Sequence, residues 1–208
     1  GANTHPELVD AFFKGCKDQG IKELVMPENP VDPAKNTFPQ SGILEVAKSN
    51  SVPMIDLQAD AKQYKQVELP NGRKLKAALV GKDFLETDAL VNMPVAKRHG
   101  STELTMAMKN WMGAVKDRGF WHRNELHQCI ADFSTFIKPS LIIVDALRVM
   151  PTQGPGKQTY PNQLIFGMDP VAVDAYAATL FNKQPFDVLY IKLAHDMGVG
   201  CGDLKQVQ

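Results

Sequence analysis

The chain has 208 residues, enough for one large domain or two small ones, and its 44% apolar and 22% charged content is that of an ordinary globular protein. Its 23 basic residues cancel 23 acidic ones, which argues against a broad nucleic-acid or acidic-membrane surface and confines any positive patch to one place. No apolar run approaches the ~20 residues that span a bilayer, so no transmembrane segment is expected.

In chain order, Thr4 and Pro6 open a helix carrying Leu8, Ala11, Phe12 and Cys16 at helical spacing, and Gly20 ends it. Residues 21–26 read as a strand, the proline-rich run 27–40 as a loop, 41–50 as a short helix and 52–57 as a strand. Two alternating runs about Asn71-Gly72 predict an antiparallel hairpin over about 64–80. A strand at 88–93 then precedes a helix near 102–115 and another over 123–137. The continuous apolar run 141–147 has the character of a buried parallel strand. A polar loop leads to a strand at 163–168, a helix from Asp169 to about Phe181, and a last helix over 186–197.

This alternation predicts a single α/β domain over residues 1–208: a mostly parallel sheet, helices on both faces, and an inserted antiparallel hairpin. The abrupt opening GANTHPELV reads as a trimmed fragment, so the compartment stays open: cytoplasmic, or exported if a leader was removed.

The polar residues recur at one kind of place. Glu28, Asn92, Asp145 and Asp169 each follow an apolar strand, and in a parallel sheet they would share the carboxyl edge where α/β folds bind ligands. Lys97, Arg98, His99, Gly100, Ser101 and Thr102 fall between the strand at 88–93 and the expected helix, so two readings fit them: an anion cradle at a helix N-terminus, or a structural cap. Arg148 follows Asp145 by three residues, with Gly154 in a Gly-Pro-Gly turn beyond; a bidentate anion clamp and a plain Asp145–Arg148 ion pair both fit. Lys109 and Asn110 interrupt an apolar pattern. Asp174, within a small apolar segment, reads as structural.

The histidines do not suggest a metal, because His122 and His127 are five apart, ~140° around a helix, and no HExxH occurs. The cysteines Cys16, Cys129 and Cys201 are too scattered for a zinc knuckle or a disulfide framework, and Cys129 is expected to be a buried thiol.

The segments NMPVAKRHGSTELTMAMKNWMG, IIVDALRVMPTQGPG and GMDPVAVDAYAA, with NTHPELV at the start and MGVGCGDL at the end, resemble the family numbered 362 among domains of unknown function. The resemblance singles out Asn92, Lys97, His99, Gly100, Thr102, Lys109, Asn110, Asp145, Arg148, Gly154, Pro155, Asp169 and Asp174, but implies no reaction. It also implies an association with iron–sulfur redox proteins, although this chain lacks the cysteine quartet a cluster needs.

Two functions of different class fit. One is an enzyme on a small anionic substrate, with Asn92, Lys97, Gly100, Thr102, Lys109, Asn110, Arg148, Gly154 and Asp169 binding the ligand and His99 and Asp145 moving protons. The other is a non-catalytic ligand-binding module, or one that meets an iron–sulfur electron carrier. No cofactor can be named from these residues.

Overall fold

The structure is a computed structural model and describes residues 3–150 and 158–207. Helix α1 (Pro6–Asp18) begins at His5, whose ring accepts the Glu7 N–H. Thr4, the expected cap, instead donates to the Met93 carbonyl and ties the chain start to the central sheet. Strands β1 (Met26–Glu28) and β2 (Met54–Asp56) pair in parallel, with Glu28 opposite Asp56. The expected strand at 21–26 shrinks to its last residue because Ile21 and Val25 are exposed.

Between them, the expected proline-rich loop is in part helical: α2 (Ala34–Ser41) and α3 (Ile43–Ser49) meet at Gly42. Proline is compatible with this because Pro33 caps α2 and Pro39 lies in its last turns. Gly42 has φ +75°, the left-handed region a side chain resists. A small core of Val9, Phe13, Ala47 and Val52 joins α1 to α3.

The hairpin is formed by β3 (Tyr64–Glu68) and β4 (Ala77–Gly81), with Tyr64 opposite Gly81. Its loop is pinned to the main core: Asp132 accepts the Lys74 and Leu75 N–H groups at 2.6 and 2.8 Å.

The remaining strands are β5 (Val91–Asn92), β6 (Val95–His99), β7 (Glu103–Thr105), β8 (Leu141–Met150) and β9 (Gln163–Gly167). β8 is their hub, pairing β5 and β6 in parallel and β9 antiparallel. Val91, Asn92 and Val95 face Leu141, Ile142 and Asp145, a constant offset across the Pro94 gap. β5 and β6 therefore act as successive segments of one interrupted strand. The fold is α/β, with antiparallel β7 and β9 beside the parallel pairs.

Helices α4 (Ala107–Asn110), α5 (Arg118–Arg123), α6 (Leu126–Phe136), α7 (Pro170–Thr179) and α8 (Leu189–Asp196) complete the chain, with a 3-10 turn at Trp111–Ala114. Leu104, Met108, Trp121, Ile130, Phe133, Ile142, Val171 and Ile191 belong to the main core. Cys129 is fully buried there, and its Sγ lies 3.0 Å from the Asn124 carbonyl, as expected for a buried thiol.

Two expectations that placed the site are corrected. The helix over 102–115 is absent: Glu103–Thr105 folds back on β6, pairing Lys97 with Thr105 and His99 with Glu103, and only Ala107–Asn110 is α-helical. Leu104 is buried in either periodicity, so the sequence pattern could not separate the two. The shared carboxyl edge is also absent. β8 runs on to Met150, leaving Asp145 in mid-strand, and antiparallel β9 carries Asp169 toward the start of β8.

Candidate functional site

Asp174 is wholly buried on α7 and accepts the N–H groups of Ala107 and Met108 at 2.7 and 3.1 Å. It thereby caps α4, whose Met106 cap position offers no side-chain oxygen. Asn92 holds the same turn from β5, donating to the Ala107 carbonyl and accepting from Asn110 Nδ2, both at 2.8 Å. These two contacts fix the segment that carries Lys109.

Lys109 is only 8% exposed. Among the described residues its ammonium has no carboxylate within salt-bridge distance and no hydrogen-bond acceptor. Burial first, then Lys97 and Arg118, pull its pKa down to about 8. Lys97, half-buried on β6, is also held below the usual lysine range by burial, with Glu28 opposing.

Two positions along the strand, on the same face, stands His99. Its ring is 6.4 Å from that of His122 on α5, and burial with Lys109, His122 and Lys97 pulls its pKa down to about 4. The Ser101 N–H donates to His99 Nδ1 at 3.1 Å. A neutral His99 therefore carries its proton on Nε2 and acts as a donor. Burial, Lys109 and Arg118 also lower the His122 pKa.

Arg118 is held at the start of α5 by the carbonyls of Asn29 and Pro30, at 2.8 and 2.7 Å. It also lines a cavity of about 280 Å³ with Asn29, Leu57, Gln58, Ala61, Tyr64 and Lys116. Glu28, at the end of β1, is a carboxyl that senses Arg118 and Lys97. Water reaches its side chain, yet protein encloses the carboxyl on most sides. That enclosure pushes its pKa up to about 7, against Arg118 and Lys97.

Lys97, His99 and Lys109 are thus brought together, with Asn92 and Asn110 behind them. Gly100 sits in the exposed β6–β7 turn, and Thr102 is buried, donating to the Leu104 carbonyl at 3.0 Å. Neither presents a helix N-terminus, because none begins there.

Three other residues fall elsewhere. Asp145 accepts the His5 N–H at 2.7 Å and the Leu147 N–H at 3.1 Å, latching the start of α1. With Val95 opposite Asp145, His99 lies four residues farther on, ~13 Å along the strand, so these two do not form a proton-transfer pair. Arg148 lines a separate, open cavity of about 420 Å³ with His5, Glu7, Leu8, Leu147, Tyr160 and Asn162, and makes no ion pair with Asp145. Though larger, this cavity has no comparable cluster of cations with lowered pKa values among the described residues that line it. Asp169 caps α7 through the Val171 and Ala172 N–H groups and accepts the Cys201 N–H at 2.7 Å, away from the cluster. Gly154 lies outside the described residues.

Sequence reasoning missed Arg118 and His122, and noted Glu28 without assigning it to the site. Each comes from an element distant in the chain, and only tertiary packing brings them to β6. Among the described residues no three His, Cys, Asp or Glu side chains gather as a metal centre requires. Nor is any described helix long and apolar enough to cross a membrane.

The family model described as "Domain of unknown function (DUF362)" matches residues 1–179, and the chain belongs to that family. It is similar to the thylakoid-associated protein sll1697 of Synechocystis sp., 22% identical over 165 residues. That alignment covers 73% of this chain and 48% of the relative, so the chain spans about half the relative's length. No solved structure matches.

Proposed function

We propose that this member of the DUF362 family binds a small anionic molecule against the cationic side chains of β6, α4 and α5. Lys97, His99, Lys109, His122 and Arg118 are its cationic and donor groups. The observation that carries this reading is Lys109: a lysine only 8% exposed, with no carboxylate or hydrogen-bond acceptor on its ammonium among the described residues, set among further cations. Holding these cations close together costs stability, because burial disfavours the charged lysine and like charges repel. An anion bound among them would offset that repulsion.

Side chains provide the attraction here, in place of the helix dipole that the sequence suggested. Asn92 and Asp174 serve as positioning residues, because they hold the backbone of α4. Asp145 serves the fold by latching α1. Calorimetric titration with inorganic phosphate tests the proposal. Wild type should bind with an affinity that Lys97→Ala and Lys109→Met each weaken by tenfold or more, about 1.4 kcal/mol. Equal affinity in all three proteins would refute it.

A further inference from the structure

We infer that Glu28, seated against Gly113, makes this site select oxyanions that carry their own proton donor. The inference rests on the anion-binding reading and names the ligand class of that same site.

A carboxylate in an anion site calls for a reason. Glu28 senses Arg118 and Lys97, yet among the described residues it forms no ion pair with any lysine, arginine or histidine. An anion held by these cations would therefore come near the Glu28 carboxyl, and a bare anion there would lie beside a like charge. An oxyanion bearing a hydroxyl would instead donate to Glu28 while its other oxygens face Lys97, Lys109 and Arg118. Such an O–H···O⁻ bond is among the stronger hydrogen bonds, and a carboxylate acceptor rejects the analogue that has no proton to give.

Gly113 explains how the carboxyl is held. A Cβ built on Gly113 would stand 2.5 Å from Glu28 Oε1, closer than any side chain tolerates, so only glycine lets the carboxyl rest there. The Asn29 N–H, next in the chain, donates to the Gly113 carbonyl at 2.8 Å and fixes the end of β1 to the same turn. Gly113 is thus a positioning residue. The clash it avoids is with the end of a flexible side chain, so Gly113→Ala should turn Glu28 away and leave the fold intact.

Glu28 also faces Tyr64, which senses its charge, and Asp56 opposite on β2. With a pKa of about 7 it is mostly ionised above that pH, so selectivity should be sharpest on the alkaline side.

The test is calorimetry at pH 8 with inorganic phosphate and with sulfate. Both are tetrahedral dianions there, and only phosphate carries a proton. Wild type should prefer phosphate by ~100-fold or more. Glu28→Gln and Gly113→Ala should both bring the ratio within ~3-fold, with melting temperatures near wild type. Equal wild-type affinities for phosphate and sulfate would overturn this inference and leave the anion site standing. Binding of neither ion would overturn both.

Discussion

The Ala107 N–H donates to Asp174 Oδ1 at 2.7 Å, a bond between residues 67 positions apart in the chain. With Met108 on the second oxygen, one buried carboxylate sets the start of the helix that carries Lys109. Asp174→Ala leaves two N–H groups unmatched and should cost ~1–3 kcal/mol. Phosphate affinity should fall as well, because Lys109 loses its placement. Urea denaturation and calorimetry check the two effects.

The same residue has a pH signature. Burial raises the Asp174 pKa from 3.8 to about 7, so folding favours its protonated form. Its contribution to stability is full below about 4 and is lost as pH rises through about 7. The deficit of Asp174→Ala should therefore narrow between pH 5 and pH 8. A constant deficit, measured by denaturation at both values, would show that Asp174 does not titrate in this window.

Asp145 should behave differently from the cationic residues of the proposed site. It accepts the His5 N–H and is 4% exposed, so Asp145→Ala should loosen α1 and cost ~1–3 kcal/mol. That is roughly 2–12 °C in melting temperature for a chain of this size. Phosphate affinity should stay within about twofold of wild type, because additivity holds for well-separated sites. A large loss of affinity would return Asp145 to the site.

His99 offers a direct spectroscopic readout. Its pKa of about 4 reflects burial and three neighbouring cationic groups. An anion bound among them should raise it, and so should Lys109→Met, which removes the strongest of those charge effects. Proton NMR titration of the imidazole, with and without phosphate, measures both shifts. A midpoint near 6.5 in the free protein would contradict the enclosed, cationic setting.

Much of the fold was legible in the sequence. The Asn71-Gly72 hairpin, the Asp169-Pro170 helix start and the buried Cys129 each rest on local chemistry. The strand direction of β9 was not, because a run such as QLIFG is equally apolar in parallel and antiparallel pairing. Leu104 and its neighbours satisfied both helical and strand spacing, which hid the β6–β7 turn. Lys97, His99 and Lys109 were recognisable from their company in one segment. Glu28, Arg118 and His122 acquire meaning only from the packing of β1 and α5, which no local pattern encodes.

Lys109 is where the anion site is most exposed to refutation. Replacing it by methionine keeps the buried stem and removes the charge, so the unliganded protein should gain ~1–3 kcal/mol near pH 7. Its lowered pKa makes that gain full below about 8 and makes it fade as pH rises toward 10.5, where the lysine is neutral in both states. The decisive measurement is the thermal melt of wild type, Lys109→Met and the exposed control Lys48→Ala, each with and without inorganic phosphate. At 100-fold above its dissociation constant, phosphate should stabilise wild type and Lys48→Ala by ~2.7 kcal/mol. Lys109→Met should melt higher when empty and show little further shift. A phosphate shift in Lys109→Met as large as in wild type would mean that the cationic cluster around Lys109 is not where the anion binds.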